Sequence, residues 1–271
     1  MKQRTLLCVV AHPDDETFGA GTTLIHAASL GIKTVTLCAT RGEAGEIMER
    51  SGATPETLPA VREAEYRTAG RIMGVSESLL MGYRDSGMAG TPENDDPNAF
   101  IRQSREKVIA DILDVMERVR PDVLLTGDTG GGYGHPDHIF ATECATAAFQ
   151  QIHAERDQRG WVPSKHYFYV FPQRLMRKFW ESVVVAEPDS GMAAVDPSVL
   201  GVPDETVTLT MDMSVHEVQA NQAFAAHISQ DSPYDRMPAD VTLEFLRNTS
   251  YTRVYPPESK PGDEAWLFDG I

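Results

Sequence analysis

Four ionisable side chains follow the first apolar run of the sequence. The segment VVAHPDDETFGAG places His12, Asp14, Asp15 and Glu16 where a buried strand should pass into a helix. Ionisable groups at the end of an apolar strand cost free energy unless they are paired or coordinate a metal. The segment GGGYGHPDH, residues 130–138, repeats the His-Pro-Asp pattern later in the chain. This repetition predicts that the two segments meet at one metal ion.

A purely structural interpretation of the first motif is also available. Aspartate often caps a helix by accepting hydrogen bonds from free backbone N–H groups, and proline is favoured in the first helical turn. A lone HPDD motif is therefore more often a helix start than a metal site. Capping requires no histidine, however, and two His-Pro-Asp sets at equivalent places favour the metal interpretation.

His12, Asp15 and His138 form the donor set expected of a catalytic Zn²⁺ site. His12 and Asp15 are three residues apart at a helix entry, so both can point at one spot. His138 is expected on a loop at the same edge of the sheet. Two imidazole nitrogens and one carboxylate oxygen leave a coordination position open for water, whose pKa such an ion lowers toward ~7. Fe²⁺ could occupy the same ligands.

Three further residues are expected to handle protons and charge. Asp14 is adjacent to Asp15 in the sequence, but its side chain is expected to point in a different direction, which makes it the natural general base. His135 is placed to act as a cation or a hydrogen-bond donor near a developing oxyanion. A neighbouring carboxylate such as Asp137 would favour the charged form of that histidine. Asp137 is also expected to hydrogen-bond His135 or a metal ligand and so fix its orientation.

The elements that must position these residues alternate along the first 170 residues. Short apolar runs predict strands, and apolar residues at helical spacing predict the helices between them. We expect strands at Thr5–Ala11, Lys33–Ala39, 78–83, Asp122–Gly127, 166–171 and Glu205–Met211. We expect helices at Phe18–Leu30, 58–74, Ala99–Arg118, His135–Ala154 and Val215–His227. The alternation predicts an α/β fold of the Rossmann-like, doubly wound class with a mostly parallel sheet.

The regular pattern weakens after Phe171. We therefore expect a single domain over residues 1–271, with a metal-binding core at 1–171 and a less regular, substrate-side extension at 172–271. The last forty residues are rich in proline and aspartate and are expected to be irregular.

Composition limits the partners and the cellular location expected of the protein. The net charge of −16, from 24 basic and 40 acidic residues, disfavours nucleic acid and anionic membrane as partners. No apolar run approaches the ~20 residues of a membrane span, and the N-terminal run is too short for a signal peptide. Three cysteines without CxxC spacing indicate neither a disulfide framework nor a thiolate metal site. We expect a cytoplasmic enzyme with a small-molecule substrate, and both a monomer and a homo-oligomer remain open.

Both motifs resemble those of a known family. VVAHPDDETFGAGTTL together with GGYGHPDH is similar to the LmbE / PIG-L family of zinc-dependent N-acetylglucosamine deacetylases. The stretches TRGEAGE, VREAEYRTAGRIMGV and GYRDSGM extend the resemblance over most of the first 150 residues. They are most similar to the branch that acts in low-molecular-weight thiol metabolism, which contains the mycothiol and bacillithiol deacetylases and the mycothiol S-conjugate amidase.

The resemblance implies the ligand set and the general base described above, and it implies that His135 stabilises the tetrahedral intermediate while Asp137 tunes it. It also adds four residues. Tyr133 matches a mobile tyrosine of the family that can reach the scissile carbonyl. Arg62 and Asp85 match positions that bind sugar hydroxyls, and Glu43 would line the same pocket.

Removal of an N-acetyl group from an N-acetylglucosamine conjugate is the function that these features predict best. An amidase that cleaves a larger acyl group from a thiol S-conjugate of the same amino sugar would use the same site residues. A non-catalytic metal- or sugar-binding module would not need Asp14 and His135 together. A Rossmann cofactor-binding protein would carry the G-x-G-x-x-G fingerprint, which the sequence lacks.

Overall fold

A seven-stranded sheet lies at the centre of the computed structural model, which describes residues 3–186, 188, 195–231, 238–257 and 262–271. Within this part of the chain the strands are β1 (Thr5–Val10), β2 (Lys33–Thr40), β3 (Glu77–Tyr83), β4 (Val123–Thr126), β5 (Lys165–Val170), β6 (Leu209–Met211) and β7 (Thr249–Tyr255). Their order is β3-β2-β1-β4-β5-β7-β6. The pairings from β3 to β5 are parallel, whereas β7 is antiparallel to both β5 and β6. The predicted α/β class and mostly parallel sheet are confirmed.

Helices connect and cover these strands. In the described residues they are α1 (Asp15–Phe18), α2 (Gly21–Ser29), α3 (Leu58–Met73), α4 (Arg105–Val119), α5 (Gly131–Gly134), α6 (Pro136–Ala154), α7 (Gln173–Ala186), α8 (Glu217–Phe224) and α9 (Ala239–Arg247). None of them is long and apolar enough to cross a bilayer.

Strand β1 is buried along its whole length because both faces of the sheet are covered. Successive side chains of a strand point to opposite faces. Leu6 and Cys8 therefore pack in one apolar layer, and Leu7 and Val9 pack in the other. One layer contains side chains of α2, α3 and α8, and the other contains side chains of α4 and α6. This two-sided burial explains why the strand reads as a continuous apolar run.

The order of the strands reverses at β1, because β2 continues the sheet on one side and β4 on the other. In an open parallel sheet, a crevice forms outside the carboxyl ends of the strands at such a reversal. The segments that follow β1 and β4 contain the two His-Pro-Asp motifs. The fold thus places both motifs at the mouth of one crevice.

Several predicted element boundaries are wrong. The single helix expected at Phe18–Leu30 is two helices, α1 and α2, separated at Gly19 and Ala20. The ring of Tyr169 occupies the space that a side chain at Gly19 would need, so the strand and helix pack closely at this break. The helix expected to begin at Ala99 begins at Arg105, because Ser104 caps it by accepting a hydrogen bond from the Lys107 N–H.

The last forty residues are not irregular throughout, contrary to the prediction. They contain α9 and β7, and β7 lies inside the sheet between β5 and β6. Its sequence TSYTRVY mixes polar with apolar side chains, which is typical of an antiparallel strand, and the composition of its surroundings concealed it. Helix α7 was also not predicted. The strand expected at Glu205–Met211 is confined to Leu209–Met211, and the helix expected at Val215–His227 is α8, which ends at Phe224.

Candidate active site

The three predicted metal ligands converge in the crevice. His12 Nδ1 lies 3.0 Å from His138 Nε2. Asp15 Oδ2 lies 3.6 Å from the first of these nitrogens and 3.3 Å from the second. Residues separated by more than 120 positions in the sequence thus bring two nitrogens and one oxygen into a single cluster.

The backbone that follows β1 holds the carboxylate of Asp15 in place. The N–H groups of Ala11 and His12 donate to Asp15 Oδ2 at 3.2 and 2.8 Å. Burial would raise the pKa of the Asp15 carboxyl, but His138 and His12 outweigh burial and hold this pKa well below its usual range. The carboxylate is therefore ionised and oriented without help from any substrate.

The other nitrogen of His12 faces two carboxylates. His12 Nε2 lies 3.2 Å from Asp137 Oδ2 and 3.5 Å from Asp85 Oδ1. A proton on Nε2 satisfies Asp137 and leaves the lone pair of Nδ1 directed at Asp15 and His138. This carboxylate–histidine arrangement is the usual way in which proteins fix the tautomer of a metal-binding histidine. The Asp137 carboxylate thus contacts a predicted ligand, one of the two partners expected for it, whereas the His135 ring is bonded by the backbone N–H of Asp137.

The electrostatic field of the cluster fits a cation. Burial would lower the pKa of His12, but Asp85, Asp137 and Asp15 outweigh burial and raise it well above its usual value. The carboxylates that hold a proton on His12 Nε2 also favour a second positive charge, that of a metal ion, on the Nδ1 side of the ring beside Asp15. Oδ1 of the buried Asp137 also has no hydrogen-bond partner among the described residues. Two imidazoles and a carboxylate at contact distance are the donor types that zinc and ferrous iron accept.

The described residues contain two other groups that could hold a metal. One consists of His12, His135 and His138, and the other of His12, Asp85 and Asp137. The second group would use His12 Nε2 and two carboxylates that already accept backbone hydrogen bonds. Asp137 accepts one from the Ser86 N–H, and Asp85 accepts one from the Gly87 N–H. All of these groups share His12, so they describe alternative positions of an ion within one crevice.

His135 is the N-cap of helix α6, and of the two roles expected for it the structure favours the hydrogen-bond donor over the cation. Its Nδ1 accepts a hydrogen bond from the backbone N–H of Asp137 at 3.2 Å, so the imidazole acts as the helix cap. Burial lowers the pKa of His135 to about 4, with His12 and His138 acting in the same direction. The opposing effect of Asp137 is smaller. The ring is therefore neutral and carries its proton on Nε2, as a hydrogen-bond donor.

Asp14 adopts a backbone conformation that is unusual for a residue with a side chain. Its φ is 127°, and Asp14 and Arg120 are the non-glycine residues of positive φ in the described chain. Such conformations are strained and are often found at functional sites. The carboxylate of Asp14 is 28% exposed, and its Oδ2 accepts a hydrogen bond from Arg62 Nη2 at 3.0 Å. Burial raises the pKa of Asp14 and Arg62 partly opposes this, which suits a carboxylate that must accept a proton.

The residues expected to bind the sugar surround Asp14 and His12. Arg62 is buried, and it donates to the carbonyl oxygens of Pro13 at 2.7 Å and Gly42 at 2.9 Å. Asp85 is buried beside His12, and Glu43 accepts a hydrogen bond from the Asp85 N–H at 2.9 Å. These contacts tie the segments after β1, β2 and β3 together. Substrate binding by Arg62, Asp85 and Glu43 stays a prediction.

Tyr133 lies at the mouth of the crevice. Its ring centroid is 5.4 Å from that of His138 and 6.0 Å from that of His135. The side chain is 59% exposed. Gly132, with a φ of 71°, and Tyr133 itself depart from helical geometry within α5. The tyrosine is thus presented to solvent on a glycine-rich turn beside the cluster, where a substrate could meet it.

Two buried residues next to the site had no predicted role. Glu16 Oε2 accepts a hydrogen bond from the Asp14 N–H at 2.9 Å, and Glu16 Oε1 lies 2.9 Å from His227 Nε2. Burial would lower the pKa of His227, but Glu16, together with Asp14 and Glu65, outweighs burial and raises it. His227 follows α8, in the C-terminal part of the chain. Its 211 positions of separation from Glu16 left no local signal that the two side chains would meet.

Comparison with known proteins gives a consistent result. Residues 7–149 match the model of the PIG-L family, described as GlcNAc-PI de-N-acetylase. The chain is 34% identical over 289 residues to a 1D-myo-inositol 2-acetamido-2-deoxy-alpha-D-glucopyranoside deacetylase of Geodermatophilus obscurus, and the alignment covers 99% of this chain and 98% of the relative.

Solved structures resemble the fold at lower sequence identity. The N,N'-diacetylchitobiose deacetylase of Pyrococcus horikoshii has a TM-score of 0.60 and 19% identity, and the match covers 93% of this chain and 84% of that one. The 4-carboxy-2-hydroxymuconate hydratase GalB of Pseudomonas putida KT2440 has a TM-score of 0.62 and 18% identity, with coverages of 95% and 99%. Because these two proteins are named for different reactions, the fold alone does not decide the chemistry.

The family is decided by sequence. Its model spans both His-Pro-Asp motifs and more than half of the chain, and the similarity to the Geodermatophilus relative runs through the C-terminal part as well. The chain belongs to the PIG-L family of de-N-acetylases.

Proposed function

We propose that this protein is a metal-dependent hydrolase that removes the N-acetyl group from an N-acetylglucosamine conjugate and releases acetate and a free amine. The observation that supports this most directly is the cluster of His12, Asp15 and His138, with the carboxylate of Asp14, a residue of strained backbone, beside it. The Geodermatophilus relative is named as a deacetylase of an acetamido-glucopyranoside linked to inositol. A glucosaminyl-inositol conjugate is therefore the substrate that we propose first.

His12 Nδ1, Asp15 Oδ2 and His138 Nε2 would hold the metal. Zn²⁺ is the proposed ion, and Fe²⁺ would suit the same donors. When bound, such an ion polarises the substrate carbonyl and makes water acidic enough to lose a proton near neutral pH. Asp137 serves this set by holding the Nε2 proton of His12.

Asp14 is the proposed general base. Its carboxylate is paired with Arg62 and is not part of the nitrogen–oxygen cluster, so it is free to accept a proton from water. The raised pKa of this carboxyl moves it toward the working pH, which makes proton transfer more efficient. The same group can then return the proton to the leaving amine.

His135 and Tyr133 are the proposed donors to the oxygen that becomes negatively charged during attack on the amide. His135 is neutral, and its Nδ1 is held by the Asp137 N–H, so its Nε2–H is the available donor. The rings of Tyr133 and His138 are close enough for the tyrosine hydroxyl to reach the same region. A donor fixed before the reaction stabilises the transition state without reorganisation.

An amidase that cleaves a larger acyl group from a thiol S-conjugate of the same amino sugar is the second candidate. It would use the same ligands, base and donors. The feature that favours the first candidate is the sequence relationship to the inositol-glycoside deacetylase over 99% of the chain. The three cysteines are buried and unpaired, which is consistent with the proposed cytoplasmic location.

Acetate release distinguishes these functions. The purified protein, loaded with Zn²⁺ or Fe²⁺, would be assayed on N-acetylglucosaminyl-inositol, on free N-acetylglucosamine and on an S-conjugate amide. We expect acetate from the first substrate at the highest kcat/KM. Preferential cleavage of the S-conjugate would support the amidase, and binding without turnover of any of the three would contradict a hydrolase.

A further inference from the structure

Glu16 and His227 lie behind the proposed general base and are not explained by metal binding. Glu16 has no exposed surface, and the His227 side chain is 2% exposed. Burying two ionisable groups costs free energy unless they pair with each other. They do pair, since Oε1 of Glu16 lies 2.9 Å from His227 Nε2.

The second oxygen of Glu16 faces the backbone of Asp14. Oε2 accepts a hydrogen bond from the Asp14 N–H at 2.9 Å. This N–H belongs to the residue whose φ is 127°. A non-glycine residue in a strained conformation persists only when its surroundings over-determine it. Glu16 supplies such a restraint from one side, and Arg62 restrains the carboxylate from the other.

His227 is itself firmly attached. The residues that follow it pack against the segment before α3 and against α3, because Ser229 donates from N and Oγ to Glu65 at 2.9 and 2.6 Å. The Met48 N–H donates to the Ser229 carbonyl at 3.0 Å. The C-terminal part of the chain thus delivers one fixed imidazole to the back of the site.

We propose that Glu16 and His227 are positioning residues that hold the backbone of Asp14 in its left-handed conformation and thereby aim its carboxylate at the reacting water. His227 orients one oxygen of Glu16, and the other oxygen binds the Asp14 N–H. The inference rests on the proposed function only in that Asp14 must act as the base. It assigns to the C-terminal part a role in catalysis besides any contact with substrate.

Three variants of the full-length, metal-loaded protein test the inference. His227→Leu removes the donor to Glu16, and Glu16→Ala removes the acceptor for the Asp14 N–H. His227→Gln keeps an Nε2 donor at similar reach and should restore function. His153→Leu is the matched control, because its ring bonds the Pro163 carbonyl at the far end of α6, about 25 Å along that helix from His135.

We expect kcat to fall on the order of 10²-fold in His227→Leu and Glu16→Ala, the cost of a small misplacement of a reacting group. KM and the dissociation constant for Zn²⁺ should stay close to the wild-type values, because the backbone of Ala11 and His12 holds Asp15 independently of Glu16. His227→Gln and His153→Leu should retain most of the activity. A loss of metal affinity parallel to the loss of kcat would overturn the proposal, because the pair would then act on the ligands.

A double-mutant cycle separates positioning from general loss of structure. In an Asp14→Ala background, adding His227→Leu should change the residual rate by less than about twofold, because the group being positioned is gone. A further loss on the order of 10²-fold in that background would show that His227 acts independently of Asp14, and the proposal would be wrong.

A crystal structure of Glu16→Ala gives an outcome that does not depend on the substrate. The φ of Asp14 should relax from the left-handed region to a negative value, while the ligand cluster keeps its geometry. An unchanged φ would overturn the positioning role even if the enzyme deacetylates as proposed. Conversely, a wild-type protein that releases no acetate would refute the proposed function without affecting this structural result.

Discussion

Replacing Asp14 with asparagine tests its proposed role in proton transfer. Asparagine has nearly the same shape as aspartate but cannot take a proton from water at neutral pH. A positioned general base contributes about 10²–10⁴ in rate, which corresponds to about 2.7–5.5 kcal/mol of activation free energy. We expect kcat to fall by this factor while KM changes little, because the substitution removes an interaction made during the reaction and not during binding.

The structure also predicts what this substitution leaves intact. The asparagine oxygen can still accept from Arg62 Nη2, the present partner of Asp14 at 3.0 Å. Arg62 keeps its bonds to the Pro13 and Gly42 carbonyls but loses a negative counter-charge. Breaking a fully buried ion pair costs ~3–5 kcal/mol, so we expect the free energy of unfolding to fall by about 1–3 kcal/mol. We expect less than the cost of breaking a fully buried pair because the Asp14 side chain is 28% exposed.

The assay measures acetate release together with metal content after dialysis. Asp95→Asn is the matched control, since Asp95 is 86% exposed and pairs only with the surface residue Arg102 among the described contacts. We expect the Asp14→Asn protein to keep a full equivalent of metal and the control to behave as wild type. Turnover near the wild-type rate would refute the role of general base. Loss of metal would show that Asp14 is a ligand and that the roles of Asp14 and Asp15 were exchanged.

Four other outcomes are expected. His135→Ala should lower kcat on the order of 10²–10³-fold, the range for one lost oxyanion donor; a near-normal rate would leave Tyr133 as the main donor. Removal of the metal by a chelator should abolish acetate release, and Zn²⁺ or Fe²⁺ should restore it. In thermal unfolding, metal at 100 times its dissociation constant should stabilise the protein by about 2.7 kcal/mol, and an unchanged Tm would argue against a bound ion. Burial lowers the pKa of His166 to about 3, so between pH ~6.5 and ~3 the unfolded chain binds a proton that the folded chain does not. The free energy of unfolding of the metal-free protein should therefore fall as the pH drops through this range. In urea titrations, this free energy should change by about 1.4 kcal/mol less per pH unit in His166→Gln than in the wild type. Equal slopes would show that another group is responsible.

The convergence of the ligand residues could be anticipated from the sequence, because the end of each buried strand marks the point where the chain reaches the edge of the sheet. An apolar run such as Thr5–Val10 must be buried on both faces, so the polar residues that follow it lie at the sheet edge. The same argument applies after β4. Two motifs at adjacent carboxyl ends therefore had to meet, and His12 and His138 do so.

The protonation of His135 could not be anticipated, because it depends on how deeply the ring is buried and on which side chains surround it. The sequence shows a histidine two residues before a carboxylate, which suggests a cation. The structure uses the ring as the cap of α6, with Nδ1 accepting from the Asp137 N–H. Burial and the nearby rings of His12 and His138 then favour the neutral form.

The sequence patterns predicted the structure of the C-terminal part, and its contact with the site, least well. Strand β7 reads as polar because its antiparallel position tolerates mixed side chains, yet it lies between β5 and β6. The pairing of Glu16 with His227 depends on how this part folds back on α3. No periodicity within either segment specifies a contact between side chains so distant in sequence.

The position of the metal tests the central claim most directly. Crystals of the protein loaded with Zn²⁺, measured at the zinc absorption edge, would locate the ion by its anomalous scattering. We predict one ion bound by His12 Nδ1, Asp15 Oδ2 and His138 Nε2, each at ~2.0–2.2 Å, with Asp14 outside the coordination sphere. An ion bound instead through His12 Nε2, Asp85 and Asp137, the other side of the same ring, would contradict the account.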